Sequence, residues 1–278
     1  MNARLLFILL LFTIGALWYI IGYWLRKAGE AAFAAARLTE KSEERERYCR
    51  LAVMAGHRKA CRMFCLLHPE RFDGHSPHKP FKLRGIRISF YGYYYPSRYN
   101  ALLNDEQKAF CHSIYQFKQG DIHGIEFFKT CMNALQLKKR PYHIMFMPCS
   151  NWIKYGQRFK RLDWYIGKHR QDLTSGLYDV DICDARESLH EAKGGEKRIL
   201  ERNYLITGKI KGKEIIIIDD VLTTGQSVVD YKEEIERCGG KVVAAIFYGK
   251  TLSMPSMLLV QIHVWGNHIA HIIERMTK

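Results

Sequence analysis

The chain has eight cysteines, at positions 49, 61, 65, 111, 131, 149, 183 and 238, and they lack the close pairing of a secreted disulfide scaffold. That excludes a small cross-linked extracellular fold and suits a reducing compartment. Acidic residues are scarce as well: 28 Asp and Glu stand against 43 Lys and Arg, a formal charge of +15 in 278 residues. The excess is uneven, because residues 26–99 hold 16 basic against 7 acidic side chains, and residues 100–278 hold 26 against 21. Nor is the positive charge interleaved with aromatics on one obvious module, which argues against nucleic acid as the main partner.

Charge is missing altogether from Leu5 to Leu25, a run of 21 residues bracketed by Arg4 and by Arg26-Lys27. As a helix the run rises roughly 31 Å, enough to cross the hydrocarbon of a bilayer once. It is longer than the apolar core of a signal peptide, and Trp18, Tyr19, Tyr23 and Trp24 suit an interfacial aromatic belt. Residues 1–27 are therefore expected to be a retained membrane anchor, spanning through residues 5–25. The basic stretch behind it favours the cytoplasmic side and anionic headgroups, so the remainder is expected to face the cytoplasm.

Residues 28–80 read as a basic helical stalk. From Ala28 to Leu67 apolar and small residues recur at helical spacing, with a break at Gly56-His57 that predicts a helical hairpin. The hairpin resembles a single Sel1-like or tetratricopeptide-type unit. One unit falls short of the roughly three that such arrays need, so a spacer or a docking stalk for a protein partner is expected. Cys61, Cys65 and His68 fall near one helical face with Cys49 upstream, yet no second cysteine pair completes a zinc pattern. Small buried hydrophobes in a helix seam are the expected role.

Ile86 to Pro96 alternates partly with period two and predicts a strand or hairpin whose tyrosines pack together. Asn104 and Gln107 form a capping-box pattern that starts a helix to about Lys118, and a second helix spans about 122–137 before Lys138-Lys139-Arg140-Pro141 ends it. From there the expected order is strand 142–147, helix 153–171, strand 178–183, a polar loop, strand 214–218, helix 225–238, strand 241–248 and a last strand 258–264. Strands alternating with helices predict an α/β fold with a mainly parallel, Rossmann-like sheet flanked by helices. The sheet domain is placed at 81–278 with its core at 142–250, and residues 81–140 with 262–278 are expected to form a variable hood.

Glu214 to Ser227 reads Glu-Ile-Ile-Ile-Ile-Asp-Asp-Val-Leu-Thr-Thr-Gly-Gln-Ser. Four isoleucines make a strand buried on both faces, and two carboxylates follow at the sheet edge where α/β folds bind ligands. Adjacent acids there are costly without a ligand or partner. Thr223-Thr224-Gly225 then opens a helix whose free N–H groups suit a phosphate, so hydroxyl-binding acids sit beside a sugar-phosphate cradle.

This stretch resembles the phosphoribosyl pyrophosphate (PRPP) signature of the type I phosphoribosyltransferases. The resemblance implies that Asp219 and Asp220 hold the ribose hydroxyls as the catalytic acids, and that Val221, Leu222, Thr223, Thr224, Gly225, Gln226 and Ser227 form the loop around the 5′-phosphate. Met147 to Lys250 is similar to the ComF-type branch, through a strand ending in Pro148, Lys154, Arg158 and Phe159 on the next helix, Asp184 to His190, and Arg198-x-x-x-Arg202-Asn203. A second proline, the glycine of an Arg-Gly-Phe-Asn element and a four-cysteine zinc ribbon are absent. Arg158, Arg186, Arg198 and Arg202 are the candidate cations for the pyrophosphate. Magnesium would arrive with PRPP, with Asp219 and Asp220 as its only candidate protein ligands. An acid that serves as base in purine-salvage members is replaced by Thr223.

The expected function is a membrane-anchored phosphoribosyltransferase that moves phosphoribosyl to an acceptor and releases pyrophosphate. The alternatives are a non-catalytic PRPP- or nucleotide-sensing module and a ComF-like protein that handles DNA at the membrane.

Overall fold

A computed structural model describes residues 3–120, 124–182 and 203–277. Helix α1 (Ala3–Leu38) is one uninterrupted helix of 36 residues, so the apolar run and the start of the stalk are continuous. Its stretch Leu6–Leu38 is long and apolar enough to cross a membrane, with a mean hydropathy of 2.2 in its most apolar window and no burial there. Helix α2 (Ser42–Met54) carries Glu43 and Glu44 in its first turn, where carboxylates suit the positive end of the helix dipole. The chain turns at Gly56, and His57 caps α3 (Arg58–Leu67) by accepting from the Ala60 amide at 3.2 Å. The short α4 (Pro69–Asp73) follows.

Strands β1 (Phe81–Leu83) and β2 (Ile86–Tyr94) form an antiparallel hairpin, and a 3₁₀ turn spans Ser97–Leu102. The capping box closes as expected: Asn104 accepts from the Gln107 amide at 2.8 Å and Gln107 accepts from the Asn104 amide at 3.1 Å, starting α5 (Asp105–Lys118). Then come α6 (Gly124–Leu135), β3 (Tyr142–Phe146) and α7 (Trp152–His169), the last capped by Asn151 accepting from Lys154 N at 2.9 Å. Short strands β4 (Leu173–Ser175), β5 (Val180–Ile182) and β6 (Tyr204–Ile206) precede β7 (Glu214–Leu222). Helix α8 (Gln226–Arg237), β8 (Lys241–Thr251) and α9 (Met257–Met276) complete the order.

The main sheet runs β1-β2-β8-β7-β3-β4, parallel except for the β1–β2 pair, and β5 with β6 forms a separate antiparallel ribbon. The α/β fold with a mainly parallel sheet is thus the observed one. Ile215 to Ile218 are fully buried at its centre, as a strand covered on both faces requires. Strand β2 pairs in parallel with β8 from Arg87 opposite Ala244 to Tyr94 opposite Thr251, so the sheet reaches well before the expected core of 142–250. Aromatic rings from α5, α6, α7 and β8 fill one side, with Phe117 edge-on to Phe127 at 5.2 Å and to Tyr248 at 5.5 Å.

The chain divides into two compact units. A helical unit runs up to Gly74, takes in Tyr99–Leu103 and resumes at Ser253; a sheet unit comprises His75–Arg98 and Asn104–Leu252. In the helical unit Phe33 and Ala36 of α1 pack with Ala52, Val53, Ala60, Phe64, Val260 and Val264. The expected strand 258–264 is instead part of α9: Val260 and Val264, one helical turn apart, face that core. Residues 253–278, expected within the sheet domain and its hood, group with the N-terminal helices.

Cys49, Cys61 and Cys65 are buried in the helical core as free thiols. Burial, helped by the neighbouring thiols, pushes Cys49 up to about 12, and burial followed by Cys61 does the same to Cys65. These thiols pack as the expected small hydrophobes.

Candidate functional site

Strand β7 does not stop at Ile218 but continues through Leu222, so both acids are strand residues: Asp219 stands opposite Phe247 and Val221 opposite Gly249. Each carboxylate folds onto its neighbour's backbone. Asp219 Oδ1 accepts from the Asp220 amide at 2.7 Å, and Asp220 Oδ1 accepts from the Val221 amide at 2.7 Å. Leu222 is buried, so what it offers a ligand is backbone, while Thr223, Thr224, Gln226 and Ser227 are exposed.

Gly225 sits between them at φ +79 as the N-cap of α8, with no side-chain cap. An L residue is strained at that φ, and a Cβ there would lie 2.3 Å from Leu83 Cδ2 at the end of β1, beside the β1–β2 turn. The same turn sends Arg84 to Gln226, with Nη1 donating to Oε1 at 2.6 Å. Sequence reasoning missed this hairpin contact, because nothing local to Leu83 or Arg84 signals a loop some 140 residues away.

Two cations meet the acids. Arg158 of α7 lies 3.5 Å from Asp219 Oδ1 and 3.2 Å from Asp220 Oδ2, and Lys118 at the end of α5 lies 3.0 Å from Asp220 Oδ2. Burial together with the charge of Asp220 holds Asp219 well above the ordinary carboxylate range, against the pull of Arg158. Burial also works against ionisation of Asp220, but Arg158 and Lys118 outweigh it and keep that carboxyl below the ordinary range. Among the described residues, Arg158 Nε is buried without a hydrogen-bond partner, a donor available to a further acceptor.

Of the four arginines proposed from the sequence for the pyrophosphate, Arg158 is placed here; Arg186, Arg198 and Arg202 lie outside the described residues. Asn203, next to them in sequence, donates from Nδ2 to the Cys149 carbonyl at 3.2 Å, just past the end of β3. The tyrosines of β2 pack rather than stand free: Tyr91 lies 5.7 Å from Tyr248 and 6.2 Å from Phe110, and Tyr94 shares a 2.9 Å hydroxyl contact with Tyr115. On α7 a separate groove of about 720 Å³, which Arg158 does not line, is bordered by Trp152, Trp164, Tyr178, Lys160 and Arg161 among others.

Residues 171–251 match the family model described as the phosphoribosyl transferase domain. The segment covers β4 to β8, including both acids and the whole loop, and leaves Lys118 and Arg158 outside. A 57-residue stretch is 42% identical to an orotate phosphoribosyltransferase of Sulfolobus acidocaldarius, covering 20% of this chain and 26% of that protein. The chain thus spans about a quarter of the length of that curated relative.

Proposed function

We propose that the sheet unit binds Mg-PRPP and transfers its phosphoribosyl group to an acceptor with release of pyrophosphate. The observation that carries this reading is that Asp219 and Asp220 of β7 lead directly into the N-terminal turn of α8, where Thr223, Thr224, Gln226 and Ser227 are exposed around a left-handed Gly225. In the reaction the acids accept hydrogen bonds from the ribose hydroxyls, and the amides and hydroxyls of Thr223 to Ser227 surround the 5′-phosphate. Breaking the C1–O bond sends its electron pair to pyrophosphate as the acceptor bonds to C1, and Arg158, whose buried Nε has no partner, is the candidate cation for that charge, with Arg186, Arg198 and Arg202 as further candidates. Two hard oxygen donors suit a magnesium ion that rests mainly on the substrate's phosphates. Thr223 offers no base, which counts against a purine-salvage acceptor that must lose a proton to that position. Pyrophosphate release from Mg-PRPP with cell-derived acceptors tests the reading, and turnover that persists in Asp219→Ala or Asp220→Ala would reject the assigned site.

A second reading is a sensor that binds PRPP without turnover and signals through the helices. It is favoured by an exposed apolar row on α9, Ile262, Trp265, Ile269 and Ile273, at spacing that suits a protein partner. Calorimetric binding without pyrophosphate release distinguishes it. The ComF-like expectation of DNA contact would use the α7 groove, which Trp152, Trp164 and Tyr178 border together with Lys160 and Arg161. Absence of salt-sensitive binding to single-stranded DNA would remove it.

We further assign residues 5–25 to a single membrane span with the following residues in the cytoplasm, supported by the apolar exposed helix and the basic stretch behind it. Resistance of the full chain to alkaline carbonate extraction, with labelling of an engineered cysteine near residue 41 only after the inner face is exposed, is the expected result.

A further inference from the structure

Lys118 lies outside the matched segment, on a helix that precedes the sheet's central strands, yet its ammonium is 3.0 Å from Asp220. Two packing features bring it there. Phe117 beside it is buried against Phe127 and Phe159, at 5.2 and 6.0 Å. Two residues on, Gly120 at φ +88 lets the chain press so close to α7 that a Cβ would fall 2.4 Å from the Gln157 carbonyl oxygen. Gln157 is the residue before Arg158, so the same contact that ends α5 sets the two cations side by side over the acids.

We propose that Lys118 is a second cation for the pyrophosphate of PRPP, resting on Asp220 until the substrate arrives. This rests on the reading of the sheet unit as a PRPP site. Ribose hydroxyls need the Asp220 oxygens that Lys118 now engages, and an incoming pyrophosphate carries more negative charge than one carboxylate. The ammonium has three donors on a flexible stem, and the side chain is 35% exposed, so it can keep one bond to Asp220 and turn the others to the leaving group. As the C1–O bond breaks and its electrons pass to pyrophosphate, both Lys118 and Arg158 then face the growing charge. Asp220, relieved of part of its ion pair, is left to accept from the sugar.

The test is calorimetric titration of the full chain and of Lys118→Met and Lys118→Gln with three probes: Mg-PRPP, Mg-pyrophosphate and ribose 5-phosphate. Loss of a charge-assisted hydrogen bond should weaken PRPP and pyrophosphate by roughly tenfold or more. Ribose 5-phosphate, which lacks the leaving group, should bind unchanged or more tightly. A lysine that serves only as the counter-ion of Asp220 would shift PRPP and ribose 5-phosphate by the same factor and leave pyrophosphate alone, and that pattern, or no change at all, overturns the proposal. The glutamine variant keeps a donor for Asp220, so either substitution that folds gives the answer. Failure of the unsubstituted chain to bind any probe would instead overturn the PRPP reading itself, and this role with it.

Discussion

The loop Thr223–Ser227 and the charge cluster on Asp219 and Asp220 are neighbours built in opposite ways. The loop is five consecutive residues shaped by one left-handed glycine, with the Gln226 amide donating to Thr224 Oγ1 at 3.4 Å inside the same turn. The cluster joins residues 118, 158, 219 and 220 from three elements, and exists only once the sheet and its covering helices have packed. A phosphate cradle can therefore survive changes that dismantle the charge cluster.

Arg158→Met should separate the two regions most sharply. It strips the shared cation from two buried acids, which costs roughly 3 kcal/mol when a buried pair loses one partner. Urea denaturation should show that loss, while inorganic phosphate, which needs only the loop, should bind within a few-fold of the original affinity. Gly225→Ala should do the reverse: at φ +79 it adds roughly 1–3 kcal/mol of backbone strain and should abolish the phosphate heat while leaving the acid pair's titration in place.

The smallest expected effect is on pH. Asp219 holds its proton above the ordinary range, and a protonated carboxyl loses acceptor capacity, so binding of Mg-PRPP should strengthen as pH rises through the raised pKa. Asp219→Asn should flatten that slope, and an unchanged slope would place the titrating group elsewhere. The same shift has a sign for folding. A raised carboxyl pKa stabilises the protonated folded form, and that contribution is present below the unfolded value and lost as pH climbs through the folded one.

What the amino-acid order made legible follows the same division. Local signals read well: the capping box at Asn104, the break at Gly56-His57, and the isoleucine run ending in two acids all sit where expected. Pairings across the chain did not, since nothing in Ile86–Tyr94 names β8 as its partner and nothing at Lys118 names Asp220. The tail misled for a different reason. Val260, Ile262 and Val264 alternate like a strand, but apolar residues continue through Ile272 and Ile273, Ser256 accepts from the Leu259 amide at 3.4 Å, and the burial of Val260 with Val264 decides for a helix. Packing against the helical unit overrides so short a period-two pattern.

Helix α1 carries one more consequence. Its 36 residues make a rod of roughly 54 Å, exposed and apolar at one end and wedged at the other by Phe33 and Ala36. No loop or cap interrupts it, so the two ends cannot turn independently. If the apolar end spans a bilayer as proposed, a change in thickness that tilts it would act through this lever as a torque on α2 and α3.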